Sequence, residues 1–332
     1  MRSADVIPIV LTVDVEPDDR EADPATTTDW TGFGPTVESF DELREQATVD
    51  TGAPARFSWF LRMDPQVEVV HGDNQWFTQR HRSTIARLEA RGDVIGLHTH
   101  AFRWDDQLDR WVSDHDDQDW VDQCVIESCA AFEASFGRPP RHFRFGDRFM
   151  SDRTLDLLVE LGVRFDLTQE PDKLPTASLN PGEVTTGLLP DYRGVPRAPF
   201  RPSRSDFRRP ARWLGRPLWE VPVTAQRLPG APADSDSKAL NLASPSAAFQ
   251  AVMEQVLAGP DPHLVMVSRT NMTTDSRFRP RFLETLDYLM AHPRRHRFRF
   301  VTPDELVRWS KRRRRTLRWG TPADHRRLVT SG

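Results

Sequence analysis

The sequence predicts an α/β fold, a single (β/α) barrel of about eight short strands. Short apolar, β-branched runs alternate with segments of helical periodicity, a pattern typical of parallel βα units. The 332 residues suffice for one barrel domain, and charged or imidazole side chains directly follow several strands, where barrel active sites lie. We predict one domain over residues 1–310, with a Pro- and Arg-rich insertion at about 170–217 and a basic tail over 311–332.

The first half of the chain supplies strands and helices in turn. Each strand is an apolar run bounded by polar or glycine-containing segments, and each helix carries apolar residues at helical spacing. The predicted elements are strand 7–13, a helix capped by Thr36, strand 55–63, helix 83–91, strand 94–97, a helix from Asp119 to about 136, strand 142–145, a helix capped by Ser151, and strand 163–167.

The alternation breaks at residues 170–217, a segment rich in proline and arginine. It is far longer than a usual βα loop, and such loops are generally functional or mobile. Strand 219–223, linker 229–237, helix 245–257, strand 264–267, helix 279–291 and strand 298–301 follow. Thr302 and Glu305 form a capping box with Pro303 at the first helical position, which predicts a last helix to about Arg312.

Composition excludes several classes of protein. Lysine and arginine total 45 against 49 acidic residues, a formal charge of −4, so no overall positive field favours nucleic acid. Cys124 and Cys129 lie five apart in a helical stretch and therefore make neither a disulfide framework nor a zinc knuckle. Without a signal-like apolar segment or a membrane-length apolar run, we expect a soluble, cytoplasmic protein. The basic tail is a solvated terminus, a weak contact with anionic membrane lipids, or a contact with nucleic acid.

Three successive strand ends carry a coherent set of side chains. These are Asp14, Glu16, His98, His100, Arg144, Asp147 and Arg148. Two histidines and one carboxylate are a familiar ligand set for a catalytic zinc ion with open positions. A second carboxylate nearby can act as general base on a water molecule, and an arginine can orient that carboxylate. The sequence therefore predicts a hydrolytic metal site at this rim.

The sequence resembles the polysaccharide deacetylase superfamily, the NodB-homology or carbohydrate esterase type. The matching segments are LTVDVEP at 11–17, GDVIGLHTHAFRW at 92–104, RHFRFGDRFMSDRTLDLLVELGVRFDLT at 141–168 and WEVPVT at 219–224. They occur in the family's order and spacing and cover most of the barrel. The resemblance implies a distorted (β/α) barrel of seven or eight strands. It also implies metal-dependent removal of an N- or O-acetyl group from a sugar or glycan precursor, with zinc as the expected metal.

By resemblance, the metal ligands are Glu16, His98 and His100. The family's usual metal-binding aspartate directly follows the catalytic base, and that position here is Val15. Some branches carry an acid one residue later, which makes Glu16 the candidate ligand. His98 matches the first histidine ligand. The second normally comes four residues later, where this chain has Phe102, so His100 takes its place, as in branches with a His-x-His form.

The resemblance also assigns the catalytic pair. Asp14 falls on the catalytic base and Arg144 on the arginine that tethers it. The family places a histidine general acid after the last-but-one strand, but residues 268–271 here read Ser-Arg-Thr-Asn. His263 lies at the other end of that strand. Arg269 is a poor proton donor because arginine remains protonated, although it can stabilise an oxyanion or hold an anionic group of the substrate.

Other side chains are candidates for substrate binding. The set comprises Trp104, Asp147, Arg148 and Arg269, and a wall of Trp104, Trp111 and Trp120 would either stack on a sugar or serve packing. The arginines of the insertion either close over the site or form a solvated loop.

Three functions stay open on the sequence. The first is a metal-dependent deacetylase, and the second is a catalytically impaired glycan-binding barrel, motivated by the absent histidine. The third is an amidase that acts on a C–N bond outside sugars, as some superfamily members do. The expected partner is a carbohydrate or an acylated small molecule, and the oligomeric state is left open.

Overall fold

The structure is a computed structural model that describes residues 6–22, 24, 28–178, 182–232 and 234–318. Its strands are β1 (Ile7–Val15), β2 (Ser58–Arg62), β3 (Val94–Thr99), β4 (Phe102–Asp105), β5 (Arg110–Asp114), β6 (His142–Phe145), β7 (Phe165–Asp166), β8 (Val184–Thr186), β9 (Trp219–Glu220), β10 (Ala225–Gln226), β11 (Lys238–Ala239), β12 (Leu264–Arg269) and β13 (Phe298–Phe300). Its α-helices are α1 (Phe33–Thr51), α2 (Pro65–His71), α3 (Trp76–Arg80), α4 (Arg82–Ala90), α5 (Gln118–Phe136), α6 (Asp152–Glu160), α7 (Ser246–Leu257), α8 (Arg279–Ala291) and α9 (Pro303–Arg318).

An eight-stranded parallel sheet forms the centre of the fold. Its order is β12-β1-β2-β3-β6-β7-β9, and β13 pairs with the first residues of β1. All nine residues of β1 are buried, as expected for a strand of a parallel sheet covered on both faces. Because all strands of the sheet run in the same direction, their carboxyl ends meet at one rim. The predicted α/β barrel architecture is confirmed.

The barrel is distorted where β9 and β12 face each other. These two strands do not pair in the described part of the chain, and the segment after β9 bridges the gap. Thr224 donates its backbone N–H to the carbonyl of Val265 at 2.9 Å, and Leu242 donates to the carbonyl of Val267 at 2.9 Å. Irregular chain therefore replaces a regular strand at this position.

The two faces of β1 show how the fold separates core from site. Ile9, Leu11 and Val13 pack in the cluster between the sheet and the helices, whereas Val10 belongs to a second apolar cluster with Val265. Alternation along the strand places Thr12, Asp14 and the following Glu16 on the same side as Val10. The acids therefore lie above the apolar filling of the barrel, at its carboxyl rim.

Two predicted helix caps are confirmed and one is wrong. Ser151 accepts a hydrogen bond from the backbone N–H of Thr154 at 3.0 Å. Thr302 and Glu305 form the reciprocal capping box, at 2.9 and 3.3 Å. Helix α1 instead begins at Phe33, and the hydroxyl of Thr36 donates to the carbonyl of Gly32 within the first turn.

Several short elements were absent from the sequence prediction. Helices α2 and α3 fill the connection between β2 and α4, and strands β4 and β5 form a hairpin after His100. Strand β8 of the long insertion pairs with β5, and β10 pairs with β11 beside the predicted linker. These strands have two to five residues and rely on tertiary pairing, so their local sequence signal is weak.

The arginines of the insertion and the predicted tail have identifiable places. Five of the described arginines of the insertion pair with nearby acids, for example Arg193 with Asp191 and Arg216 with Asp156. Helix α9 continues through Arg318, so the predicted tail begins as helix, and residues 319–332, including Trp319, Arg326 and Arg327, lie outside the described residues. No described helix has the length and apolar character needed to cross a membrane.

Candidate metal and catalytic site

A cleft of about 540 Å³ opens at the carboxyl rim of the sheet. Nearly all of the sequence-predicted site residues line it, namely Asp14, Glu16, His98, His100, Arg144, Asp147, Arg148 and Arg269. They come from the ends of β1, β3, β6 and β12, which lie within four strand positions of one another in the sheet. The fold thus brings Asp14 and Arg269, which are more than 250 residues apart in the sequence, into one cleft.

Glu16, His98 and His100 converge at the floor of the cleft. Oε1 of Glu16 lies 3.2 Å from Nε2 of His98 and 3.1 Å from Nε2 of His100, and the two Nε2 atoms are 3.1 Å apart. Zinc binds nitrogen and oxygen ligands at about 2.0–2.2 Å, so donor atoms around one ion lie roughly 3–3.5 Å apart. The three residues fit such an ion and leave coordination positions open.

The outer nitrogen of each imidazole has a partner that orients the ring. Nδ1 of His98 lies 2.8 Å from the backbone carbonyl of Arg144 and donates to it. Nδ1 of His100 lies 3.3 Å from Oδ2 of Asp147. Both contacts direct Nε2 toward Glu16, which is the arrangement that metal-binding histidines use.

Two arginines that sequence reasoning missed contact the carboxylate of Glu16. Nη1 of Arg62 donates to Oε2 of Glu16 at 3.0 Å, and Arg20 lies 3.8 Å from the same oxygen. Burial raises the pKa of Glu16, but the charges of His100, Arg20 and Arg62 outweigh burial and hold that pKa well below its usual range. Arg62 was detectable as a charge inside an apolar strand, whereas nothing local distinguishes Arg20.

Asp14 and Arg144 form the predicted pair beside the ligands. Nε of Arg144 donates to Oδ2 of Asp14 at 3.0 Å, and Nη1 donates to the carbonyl of Leu167 at 2.5 Å. Oδ1 of Asp14 is buried and lies 2.9 Å from the same Nε atom, although it accepts no hydrogen bond from the residues that the structure describes. Both carboxylate oxygens thus lie beside the guanidinium group, and Oδ1, which has no hydrogen bond within the described residues, can accept a proton.

The turn after β6 has a backbone that most residues avoid. Asp147 and Arg148 have φ values of 53° and 61°, in the left-handed region. Asp147 accepts hydrogen bonds from Arg20 at 2.9 Å and from Ser113 at 2.8 Å in addition to its contact with His100. Asp147 therefore orients His100 through Oδ2, and its predicted contact with substrate stays a prediction.

The predicted tryptophan wall is not formed. Trp104 does not line the cleft, and its ring packs edge-on against Trp111 at 5.3 Å between centroids. Trp111 is buried and donates to the carbonyl of Ala22, and Trp120 donates to the carbonyl of Ala101. Trp104 and Trp111 lie on the β4–β5 hairpin, which the sequence prediction lacked, and Trp120 lies on α5; none of the three lines the cleft.

The sequence has Ser268-Arg269-Thr270-Asn271 where the resemblance expects a late histidine. Arg269 ends β12 and lines the cleft, where β1 and β12 place it opposite Asp14 in register. His263 precedes the same strand at its other end, and its Nε2 lies 3.2 Å from the carbonyl of Arg197. Among the described lining residues, His98 and His100 are the only histidines.

Comparisons with known proteins confirm the fold. No protein-family model and no curated protein matches the chain. A structure from Mycobacterium smegmatis, provisionally named a polysaccharide deacetylase, aligns over 95% of this chain and 93% of its own, with 14% identity and a TM-score of 0.51. One from Parabacteroides distasonis, provisionally named a glycoside hydrolase/deacetylase, aligns over 92% and 71%, with 12% identity and a TM-score of 0.56. The chain therefore has the deacetylase-type barrel that its motifs implied.

Proposed function

We propose that the protein is a metal-dependent hydrolase that removes an acetyl group from a sugar or glycan precursor. The observation that supports this most directly is the mutual 3.1–3.2 Å spacing of the donor atoms of Glu16, His98 and His100. The carboxylate of Asp14, tethered by Arg144, stands in the same cleft. Ligands with open positions beside a tethered base are the components that hydrolysis of an acyl group requires.

Glu16, His98 and His100 would hold the ion, for which zinc is our choice because imidazole and carboxylate ligands suit it. Zinc supplies Lewis acidity toward an acyl oxygen and toward water. Asp14 takes a proton from the attacking water through Oδ1, which accepts no hydrogen bond from the described residues. Arg144 balances the charge of Asp14 and fixes its orientation through the hydrogen bond to Oδ2.

The leaving nitrogen or oxygen also needs a proton. In the described lining of the cleft, no histidine occupies the position of the family's general acid, and Arg269 retains its proton. Asp14 therefore returns the proton that it has taken, acting first as base and then as acid. Arg269 is the register partner of Asp14 on the neighbouring strand β12, and it stabilises negative charge in the cleft.

The arginine at position 269, where the family has a histidine, favours a second candidate function. A barrel that keeps the cleft but has an arginine where a proton donor is expected suits a module that binds a glycan without hydrolysing it. Such a module would retain the glycan after prolonged incubation and release no acetate. The two functions therefore differ in product formation rather than in binding.

The proposal is tested by elemental analysis and by acetate release. We expect about one zinc ion per chain in the purified protein and loss of both metal and turnover in His98→Ala. His296→Ala, at an exposed histidine outside the cleft, is the matched control and retains both. Metal retained by His98→Ala would refute the ligand assignment, and a zinc-loaded protein that releases no acetate from acetylated sugars would favour the binding module.

A further inference from the structure

We propose that the cleft binds an oxyanion group of its substrate, a phosphate or a carboxylate, between the guanidinium groups of Arg148 and Arg269. This inference rests on the proposed function, since it names the class of acylated substrate that the site takes. The inference follows from the salt bridges of the cleft, which pair its carboxylates with cations other than Arg148 and Arg269.

Every carboxylate that lines the cleft already has a cationic partner. Asp14 pairs with Arg144 at 2.9 Å, and Asp147 pairs with Arg20 at 2.9 Å. Glu16 is bound by Arg62 at 3.0 Å. The remaining two, Glu170 and Asp236, share Lys173 at 3.7 and 3.5 Å. None of these five acids forms a salt bridge with Arg148 or Arg269.

Arg148 is one of the cations that remain. Its side chain is only 8% exposed, and its Nη1 atom is buried without a hydrogen-bond partner in the described residues. A buried N–H donor without an acceptor is costly, since it has lost its hydrogen bond to water and gained no other. The left-handed backbone of the turn brings this side chain into the cleft lining. Such an arrangement is expected when a ligand supplies the acceptor.

Arg269 is the second. It lines the same cleft from the end of β12, and no carboxylate of the described residues lies within salt-bridge distance of it. Arg20 and the acids Asp14, Glu16 and Asp147 act on it electrostatically, which places it near the centre of the site. Guanidinium groups bind oxyanions through two parallel N–H donors, so two of them suit a phosphate or carboxylate better than a neutral hydroxyl.

The arginine-rich insertion does not supply this function. Several of its arginines pair with neighbouring acids, as Arg197 does with Asp172 and Arg208 with Asp206, and no arginine of the insertion is among the described residues that line the cleft. The anion-binding groups instead come from the barrel rim itself. An acetylated sugar that carries a phosphate or a carboxylate would thus be held by Arg148 and Arg269 while its acyl group faces Asp14.

Binding of inorganic phosphate tests the site independently of catalysis. We would measure phosphate affinity by calorimetry on zinc-loaded wild type, Arg148→Gln and Arg269→Gln, and also on His98→Ala. We expect each arginine variant to bind at least about tenfold more weakly. We expect His98→Ala to bind phosphate more tightly than the double variant Arg148→Gln/His98→Ala. This comparison shows whether Arg148 contributes to phosphate binding when the His98 side chain is absent. Arg87→Gln, an exposed arginine of α4, is the control and binds as wild type.

Equal phosphate affinity in wild type and both arginine variants would overturn the inference. If Arg148→Gln does not fold, Arg148→Lys and Arg269→Gln carry the test, because lysine keeps the charge but loses the paired donors. In that case we expect Arg148→Lys to bind phosphate more weakly than wild type but still measurably. Wild-type phosphate affinity in both Arg148→Lys and Arg269→Gln would count against the site.

Turnover then separates the sources of the oxyanion and the two proposals. The substrates are N-acetylglucosamine, its 6-phosphate, and N-acetylmuramic acid, which carries a carboxylate. We expect kcat/KM to favour one anionic sugar over the neutral one at least about tenfold, mainly through KM, and Arg148→Gln to abolish that preference. Equal turnover of all three would refute the anionic substrate but not the hydrolase. No turnover of any, with phosphate binding still dependent on the arginines, would refute the hydrolase but not the anion site.

Discussion

The imidazole of His100 reaches Glu16 and His98 because residue 146 is glycine. A Cβ atom at this position would lie 2.1–2.3 Å from three atoms of the His100 ring, far inside van der Waals contact. The backbone of the turn therefore serves as one wall of the pocket for the ring, and Asp147 holds the ring's outer nitrogen. Close packing of this kind makes the position of the imidazole sensitive to a single methyl group.

Gly146→Ala is expected to displace the His100 ring and to lower zinc affinity about tenfold or more, because a shifted ligand loses its alignment. Zinc affinity would be measured by competition with a chelator. Gly34→Ala is the matched control, since a Cβ atom there meets no atom within 4 Å. Unchanged zinc affinity in Gly146→Ala would show that the ring of His100 is free to move without loss of the site.

At the residue scale, the sequence identified the candidate catalytic and metal-binding residues but not the arginines that contact them. Asp14, Glu16, His98, His100 and Arg144 all line the cleft as predicted. Arg20 and Arg62 were missed because their role depends on which carboxylate they meet after folding. A charged residue near a strand carries no local sign of its distant partner.

At the scale of elements, the regular strands and helices were predictable and the small additions were not. Strand β6 has the predicted bounds, whereas β2 is shorter than predicted and β3 is longer. The β4–β5 hairpin escaped prediction because its residues are largely polar and its stability comes from pairing with β8 of the insertion. This hairpin nevertheless matters to the site, since Ser113 donates to Asp147 at 2.8 Å.

Helix α6 offers a test of how an element supports the rim. Ser151 caps this helix directly after the turn 146–148 and also donates to Gln118 on α5 at 2.8 Å. We expect Ser151→Ala to lower the free energy of unfolding by about 1 kcal/mol while zinc content stays at the wild-type level. Chemical denaturation would measure this change.

Ser83→Ala removes an exposed serine within the first turn of α4 and is expected to change the free energy of unfolding by less than about 0.5 kcal/mol. A loss of zinc in Ser151→Ala would show instead that the cap positions the turn that carries Asp147.

At the scale of the whole molecule, a buried pair of acids sets a pH dependence of stability. Asp166 and Glu220 are register partners in β7 and β9, and both are fully buried. Burial and the neighbouring charge of Asp166 raise the pKa of Glu220 well above its usual range. The native protein therefore keeps a proton on Glu220 that the unfolded chain releases above a pKa of about 4.3.

Because the pKa of Glu220 is raised in the native state, its contribution to stability is complete below the unfolded pKa and declines as pH rises toward the native pKa. Gln cannot titrate, so the stability of Glu220→Gln relative to wild type is expected to increase by about 1.4 kcal/mol for each pH unit in that window. Urea denaturation of both proteins between pH 5 and pH 7 would measure the difference.

Metal release at low pH affects both proteins alike and cancels in the comparison. Glu284→Gln, at an exposed glutamate of α8, is expected to show no such trend. A pH-independent difference between Glu220→Gln and wild type would mean that Glu220 is ionised in the native protein over this whole range.

The sequence by itself determined the α/β class, the order of the main strands, and the strand ends from which Asp14, Glu16, His98, His100 and Arg144 project. Periodicity and alternation are local properties, and they carry this information along the chain without any knowledge of contacts. Motif resemblance added the type of barrel, which the structural comparisons confirm.

Only the tertiary structure decided which charges meet. It paired each cleft carboxylate with a cation, left the guanidinium groups of Arg148 and Arg269 without one, and turned Trp104 away from the site. Electrostatic partners and ring packing depend on distances between segments that lie far apart in the chain. These segments come close together only when the sheet has formed and curved around the cleft.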